Sequence, residues 1–243
     1  MEGSAPIVHA VAAELSLSIV RPLAGGEFGA TLVTDADQRD MVLKVLQSPG
    51  LAPRFAEGAE LALRLVERGY PAPRYYGTGA TREVAWSLQE VLPGHVPQSV
   101  TMAHARKLVE LAGMHAGAAG RSSSWRDETI DRMRKLSRRL AESPEARELA
   151  AELGQLIEVG AEAELLDDGI VHGDFHHRNY LAIGDEVTGV FDWELASVGD
   201  WRADLVTLAF WSSIITEQVP RNVASYLTNE FKSRCPAPSS RSS

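Results

Sequence analysis

Ile170-Val171-His172-Gly173-Asp174-Phe175-His176-His177-Arg178-Asn179, followed by Val190-Phe191-Asp192-Trp193-Glu194, is the stretch that decides how this chain folds. Residues 180–183 and 186–191 flank Gly184-Asp185, and a two-residue turn with glycine first predicts a β-hairpin. Pairing Ile183 with Glu186 sets Asn179 beside Val190, with Asp192 two residues further along the same end. An amide oxygen and a carboxylate then meet at the hairpin mouth. Oxygen donors of this kind suit Mg²⁺, which completes its shell with water and substrate phosphates. Asp174, five residues before Asn179, stands on the preceding loop within reach of the same point.

A carboxylate beside a metal-bound triphosphate can accept a hydrogen bond from an attacking hydroxyl and aim it in line with the γ-phosphate. Protein kinases place an Asp, an Asn five positions on, and then a metal-binding Asp before a turn. Asp174, Asn179 and Asp192 follow that order and that first spacing.

Working outward, Met41-Val42-Leu43-Lys44-Val45-Leu46 reads as a strand, and alternation puts the Lys44 ammonium on the face of Val42 and Leu46. A lysine there either protects a sheet edge or binds α- and β-phosphates while a helix glutamate holds it. Glu60 lies sixteen residues on, in a predicted helix over residues 53–68. At about 100° per residue it flanks a stripe of Phe55, Ala59, Ala62 and Val66, whereas Glu57 points away, so Glu60 is the expected partner, with Glu57 as the alternative. Arg21-Pro22-Leu23-Ala24-Gly25-Gly26-Glu27-Phe28-Gly29 falls between predicted strands 17–23 and 30–34. Gly25, Gly26 and Gly29 allow close backbone approach to phosphates, and a plain hairpin turn has the same composition. Further extended segments are expected at 74–77 and 84–92, with Pro93-Gly94 as a break.

From Thr101 onward the periodicity is helical: Met102, Ala105, Leu108, Leu111 and Ala112 share a face, and residues 125–142 and 145–166 are long charged helix candidates. The expected organisation is α+β, a β-rich lobe over residues 1–93 and a larger helical lobe over 94–232, with a disordered tail at 233–243.

The His172-Gly173-Asp174 motif with Asn179, then Asp192-Trp193-Glu194 and Gly199-Asp200 through Asp204-Leu205, resembles the aminoglycoside phosphotransferase family of small-molecule kinases. The likeness spans roughly residues 20 to 215 by motif order. It implies a two-lobed protein-kinase-like fold and transfer of the ATP γ-phosphate to a hydroxyl of a small-molecule acceptor. It also implies Asp174 as catalytic base, Asn179 and Asp192 as Mg²⁺ ligands, and His176 near the γ-phosphate. Backbone groups of Glu90 and Val91 would hold adenine, and Asp204 would brace the catalytic loop. His177-Arg178 stands where the family commonly has Pro-Gly. Family acceptors include aminoglycosides, macrolides, choline and homoserine. Related kinases carry more helical sequence beyond the region of Lys232, where it contributes to the acceptor pocket. The alternative is a regulatory or catalytically silent nucleotide-binding protein of the same fold.

An aminoglycoside is polycationic, and Asp127, Glu128, Asp131, Asp167, Asp168, Glu194 and Asp200 are the candidate carboxylates for such an acceptor, with Glu194 best placed. Trp125, Trp193 and Trp201 are candidates for stacking or for core packing.

Composition narrows the classes. The 243 residues are 44% hydrophobic and 23% charged, enough to bury a core and too apolar for intrinsic disorder. A net charge of −9 disfavours nucleic acid or an anionic membrane as partner, and the one basic stretch, 132–139, lies among carboxylates. A lone cysteine, Cys235, excludes an internal disulfide framework. Met1-Glu2-Gly3-Ser4 lacks a basic signal-peptide start, so a soluble cytoplasmic protein is expected.

Overall fold

The computed structural model describes residues 5–23, 29–120, 124–162 and 164–235. It opens with a helix α1 (Ala5–Glu14), which sequence periodicity had not indicated. Val11 and Ala12 bury this helix against Val33, Met41, Leu43 and Val84 of the sheet. Its apolar positions are mostly alanine and valine, so the pattern is weak and packing on the sheet sustains the helix.

Five antiparallel strands follow: β1 (Ser18–Leu23), β2 (Ala30–Thr34), β3 (Asp40–Leu46), β4 (Tyr75–Ala80) and β5 (Ala85–Glu90), in the order β1-β2-β3-β5-β4. The β2–β3 turn is closed by Asp35, whose carboxylate accepts from the amides of Asp37 and Arg39 at 2.9 Å each. Helix α2 (Ala52–Val66) joins β3 to β4 and buries Phe55, Gly58, Leu61, Ala62 and Leu65.

Beyond β5 the chain turns helical. Helix α3 (Met102–Met114) starts with Thr101 as N-cap, its hydroxyl accepting from His104 N–H while the His104 ring returns to the Thr101 amide. Helices α4 (Ser124–Ala141) and α5 (Arg147–Ala161) lead to a short strand β6 (Gly169–Val171), then the hairpin β7 (Tyr180–Ile183) and β8 (Glu186–Val190). Strand β9 (Ser197–Gly199) pairs with β6, and helices α6 (Arg202–Ile214) and α7 (Arg221–Arg234) complete the fold. Because α7 continues through Arg234, the tail expected from residue 233 begins inside a helix, and residues 236–243 lie outside those described.

The mixed α+β architecture is the expected one. One hydrophobic cluster runs from Leu61, Leu65 and Tyr70 through Leu108 and Leu111 to Phe175, Tyr180, Trp193, Leu205 and Leu208. Helix α2 thus shares a core with residues 170–194. The segment after β5 is pinned to the hairpin: His95 and Ala182 exchange backbone bonds of 3.2 and 2.9 Å, and Thr188 Oγ1 donates to Pro93 O. Among the described residues no helix is long and apolar enough to cross a membrane.

Candidate active site

The hairpin forms with Ile183 opposite Glu186 and with Gly184 at φ +59° in its turn. A register shift between Leu181 and Ala182 adds one residue to β8, so Tyr180 faces Val190. Asn179 therefore lies opposite Phe191 rather than Val190, with Phe191 N–H donating to Asn179 O at 3.1 Å. The bulge brings Asp192 one residue nearer to Asn179 than simple pairing implies. Asp192 itself adopts the left-handed conformation, φ 70° and ψ 53°, which Asp tolerates better than most residues. Such strain persists only where the surroundings hold it.

Asp174 leaves β6 on a loop whose backbone is tied to Asp204. The buried Asp204 carboxylate accepts from His172 N–H at 2.8 Å and Gly173 N–H at 3.1 Å, and pairs with His115 Nδ1 at 2.9 Å. Gly173 has φ +82°, and a Cβ there would sit 2.5 Å from Leu195 O, so this loop accepts glycine alone. The Asp174 side chain is 37% exposed, which leaves it open to a substrate. Asn179 Nδ2 donates both to its Oδ2 at 2.7 Å and to its backbone carbonyl at 2.9 Å. His176 Nε2 stands 3.3 Å from Asp174 Oδ1 while its Nδ1 accepts from Arg178 N–H at 3.1 Å. Burial pushes the Asp174 carboxyl up, but His176 and Asn179 outweigh it, so the group titrates below the ordinary carboxylate value. His176, expected near a γ-phosphate, is here a donor that orients Asp174, and its outer face meets Trp211 with ring centroids 5.6 Å apart.

His172 is wholly buried against Trp193, ring centroids 4.5 Å apart. Its Nε2 lies 2.9 Å from Phe191 O and its Nδ1 accepts from Asp174 N–H, an arrangement that requires the neutral ring. Burial lowers its pKa below 6.5 despite the opposing charge of Asp204. An unfolded chain takes up that proton near 6.5 while the folded one resists. The stabilisation is therefore complete above that value and is lost as pH falls below it. Thermal denaturation at pH 7.5 and 5.5 should show a lower Tm at the acid value; an equal or higher Tm at pH 5.5 would contradict the neutral-ring assignment.

Lys44 is nearly buried, 11% exposed at its side chain, and pairs with Asp192 and, at 2.7 Å, with Glu194. Burial opposes its charge, but the carboxylates of Glu194 and Asp192 prevail and hold the ammonium above the ordinary lysine value. The expected Glu60 partnership is not made. The buried stripe of α2 runs through Phe55, Gly58, Leu61, Ala62 and Leu65 instead of Phe55, Ala59, Ala62 and Val66, and this phase turns both Glu57 and Glu60 to solvent. Glu60 pairs with Arg64 at 2.8 Å. At Gly58 a Cβ would overlap the Trp193 carbonyl oxygen, so the missing side chain lets α2 rest directly on the Asp192-Trp193-Glu194 segment.

Other sequence candidates are placed as follows. Gly25 and Gly26 lie outside the described residues, while Gly29, at φ +55°, precedes β2. Glu90 N–H donates to Arg74 O at 2.8 Å, which commits that donor within the protein, and Val91 is exposed. Trp193 and Trp201 are core residues, and Trp125 packs where a Gly199 Cβ would stand. Of the proposed acceptor carboxylates, Glu194 is taken by Lys44, Asp200 by Arg202 at 2.5 Å and Asp131 by Lys135 at 2.6 Å. Sequence reasoning missed the Lys44–Glu194 pair, the buried His115 against Asp204, and Trp211 beside His176. A glycine in mid-helix at Gly58 was the available signal for the first, because it marks a close approach.

Hairpin, loop and sheet thus bring Asp174, Asn179, Asp192 and Lys44 into one connected network. The chain belongs to the phosphotransferase enzyme family, whose model matches residues 19–236. Among solved structures, an aminoglycoside-3'-phosphotransferase of type VIII is similar at 21% identity and TM-score 0.65, covering 96% of this chain and 93% of that one. The macrolide 2'-phosphotransferase MphH from Brachybacterium faecium aligns at 19% identity and TM-score 0.56, covering 96% and 84%. Amicoumacin kinase hAmiN, in complex with AMP-PNP, Ca²⁺ and Ami, aligns at 16% identity and TM-score 0.69, covering 94% and 76%. No curated protein matches the chain in sequence.

Proposed function

We propose that the protein moves the γ-phosphoryl group of ATP to a hydroxyl of a small molecule. The observation that carries this is a solvent-open Asp174 carboxylate, fixed by Asn179 and His176 and linked through Phe191 to the segment that meets Lys44. Asp174 accepts a hydrogen bond from the acceptor hydroxyl, aims its oxygen at the γ-phosphorus and takes the proton as the new P–O bond forms and the bond from that phosphorus to the β,γ-bridging oxygen breaks, with ADP as the leaving group. Lys44 binds the α- and β-phosphates. Residues 1–93 are the nucleotide half in this reading, with the backbone at Gly29 on the phosphate side and the carbonyl of Glu90 and the backbone of Val91 toward adenine. Residues 94–232 carry the chemistry and the acceptor.

The donor set suits Mg²⁺. Asp192 offers a carboxylate, and Asn179, whose Nδ2 is spent on Asp174, offers its amide oxygen. Among the described residues no group of three or more His, Cys, Asp or Glu could hold a metal ion. When bound, Mg²⁺ neutralises charge on the phosphate oxygens. Asp192→Ala should weaken Mg-ATP binding at least ten-fold while changing metal-free nucleotide binding much less. Calorimetric titration with and without Mg²⁺ checks this, and an unaltered Mg-ATP affinity would count against Asp192 as ligand.

The proposed acceptor is an aminoglycoside-type antibiotic, and the similar structures are, by their names, phosphotransferases or kinases of aminoglycosides, a macrolide and amicoumacin. A second reading has its own observation. Trp211 meets the ring of His176, and Phe210, 57% exposed, adjoins Trp211 with ring centroids 5.8 Å apart. This aromatic pair beside His176 favours an acceptor presenting an apolar ring face near its reacting hydroxyl. Choline and homoserine remain in the set of acceptors to test.

A further inference from the structure

We infer that Glu194 is the residue that holds Lys44 in position for the nucleotide phosphates, a task that in protein kinases falls to a glutamate of the helix after the lysine strand. The inference rests on the reading of Lys44 as the phosphate-binding lysine. Three observations support it. Glu194 Oε1 is 2.7 Å from Lys44 Nζ, and the two side chains are 19% and 11% exposed, so the pair is shielded from screening by water. Glu57 and Glu60, the two carboxylates of α2, are exposed, and Glu60 is paired with Arg64. Gly58 seats α2 on the Trp193 carbonyl, and that contact keeps the helix in the phase that turns its glutamates outward.

Charge arithmetic separates the roles of the two carboxylates on Lys44. One ammonium facing Asp192 and Glu194 leaves a surplus negative charge. With Asp192 engaged as a ligand of a bound metal-nucleotide complex, Glu194 would remain as the partner of Lys44. Glu194 is a positioning residue, acting through the lysine. Lysine partner and metal ligand sit on one three-residue segment, so the clamp closes whenever Asp192-Trp193-Glu194 is in place. No swing of α2 is required. The same assignment removes Glu194 from the acceptor pocket.

A double-mutant cycle on ADP affinity tests this without needing the acceptor. Wild type, Lys44→Met, Glu194→Gln and the double variant are titrated with ADP, with Mg²⁺ and with EDTA, and Glu60→Gln is run as comparison. Glu194→Gln should weaken Mg-ADP binding several-fold when Lys44 is present and should not weaken it in the Lys44→Met background, a coupling typical of side chains in contact. Glu60→Gln should show no such coupling. Equal weakening in both backgrounds that disappears in EDTA would make Glu194 a metal ligand and overturn the inference. No effect in either background, or coupling of Glu60 to Lys44, would overturn it as well. Failure of the wild-type protein to bind Mg-ADP would refute the nucleotide-site reading itself, an outcome distinct from the others. Melting curves for each variant, with Glu194→Asp as a second substitution retaining charge, separate these results from misfolding.

Discussion

Asp174→Ala should lower phosphoryl-transfer turnover by about 10²–10⁴-fold, the usual contribution of a general base, while Mg-ATP affinity stays within a few-fold. The split follows from the structure. The Asp174 carboxylate touches Asn179 and His176 and is otherwise open, whereas Lys44 contacts Asp192 and Glu194. Removing the Asp174 side chain frees the Asn179 amide from one of its two bonds, but the bond to the Asp174 backbone carbonyl at 2.9 Å remains. The loop and the Asn179 oxygen should therefore keep their places. Steady-state kinetics combined with nucleotide titration reads both quantities. Unchanged turnover would remove Asp174 as the base, and a parallel collapse of nucleotide affinity would make its role structural.

Asp204→Ala should instead act on folding. Asp204 is fully buried and meets two backbone N–H groups and the ring of His115, itself fully buried. Truncation leaves those groups without an acceptor in the core, beside a cavity. Breaking a buried charged network of this kind costs about 3–5 kcal/mol, which for a chain of this size lowers Tm on the order of 10 °C. Asp204→Asn should recover only part of the loss, because an amide offers one acceptor oxygen and turns an N–H toward a donor. Differential scanning calorimetry distinguishes the cases; a Tm within a degree or two of wild type for Asp204→Ala would show that the brace contributes little.

Much of this fold was legible because its signals are local. Alternation and turn chemistry located the central strands, and glycine first in a two-residue turn located the β7–β8 hairpin. The order of Asp174, Asn179 and Asp192 pointed to the site. The errors came from effects that local pattern does not carry. The bulge in β8 shifts Asn179 by one partner, and a register shift leaves no mark in hydrophobic alternation. The rotation of α2 is set by Gly58 against Trp193, a contact between residues far apart in sequence, so the stripe drawn from apolar residues alone chose Glu60. Helix α1 is held by packing on the sheet, which an alanine-rich segment does not announce. Trp211 reaches His176 only because α6 folds back toward the loop that follows β6.

The most direct test of the account is Mg-ATP-dependent phosphate transfer by the wild-type protein to a panel of aminoglycosides, macrolides, choline and homoserine, with Asp174→Ala alongside. The account predicts transfer to a hydroxyl of one class and its loss in the variant. Clear Mg-ATP binding with no transfer to any member, or transfer undiminished in Asp174→Ala, would contradict it.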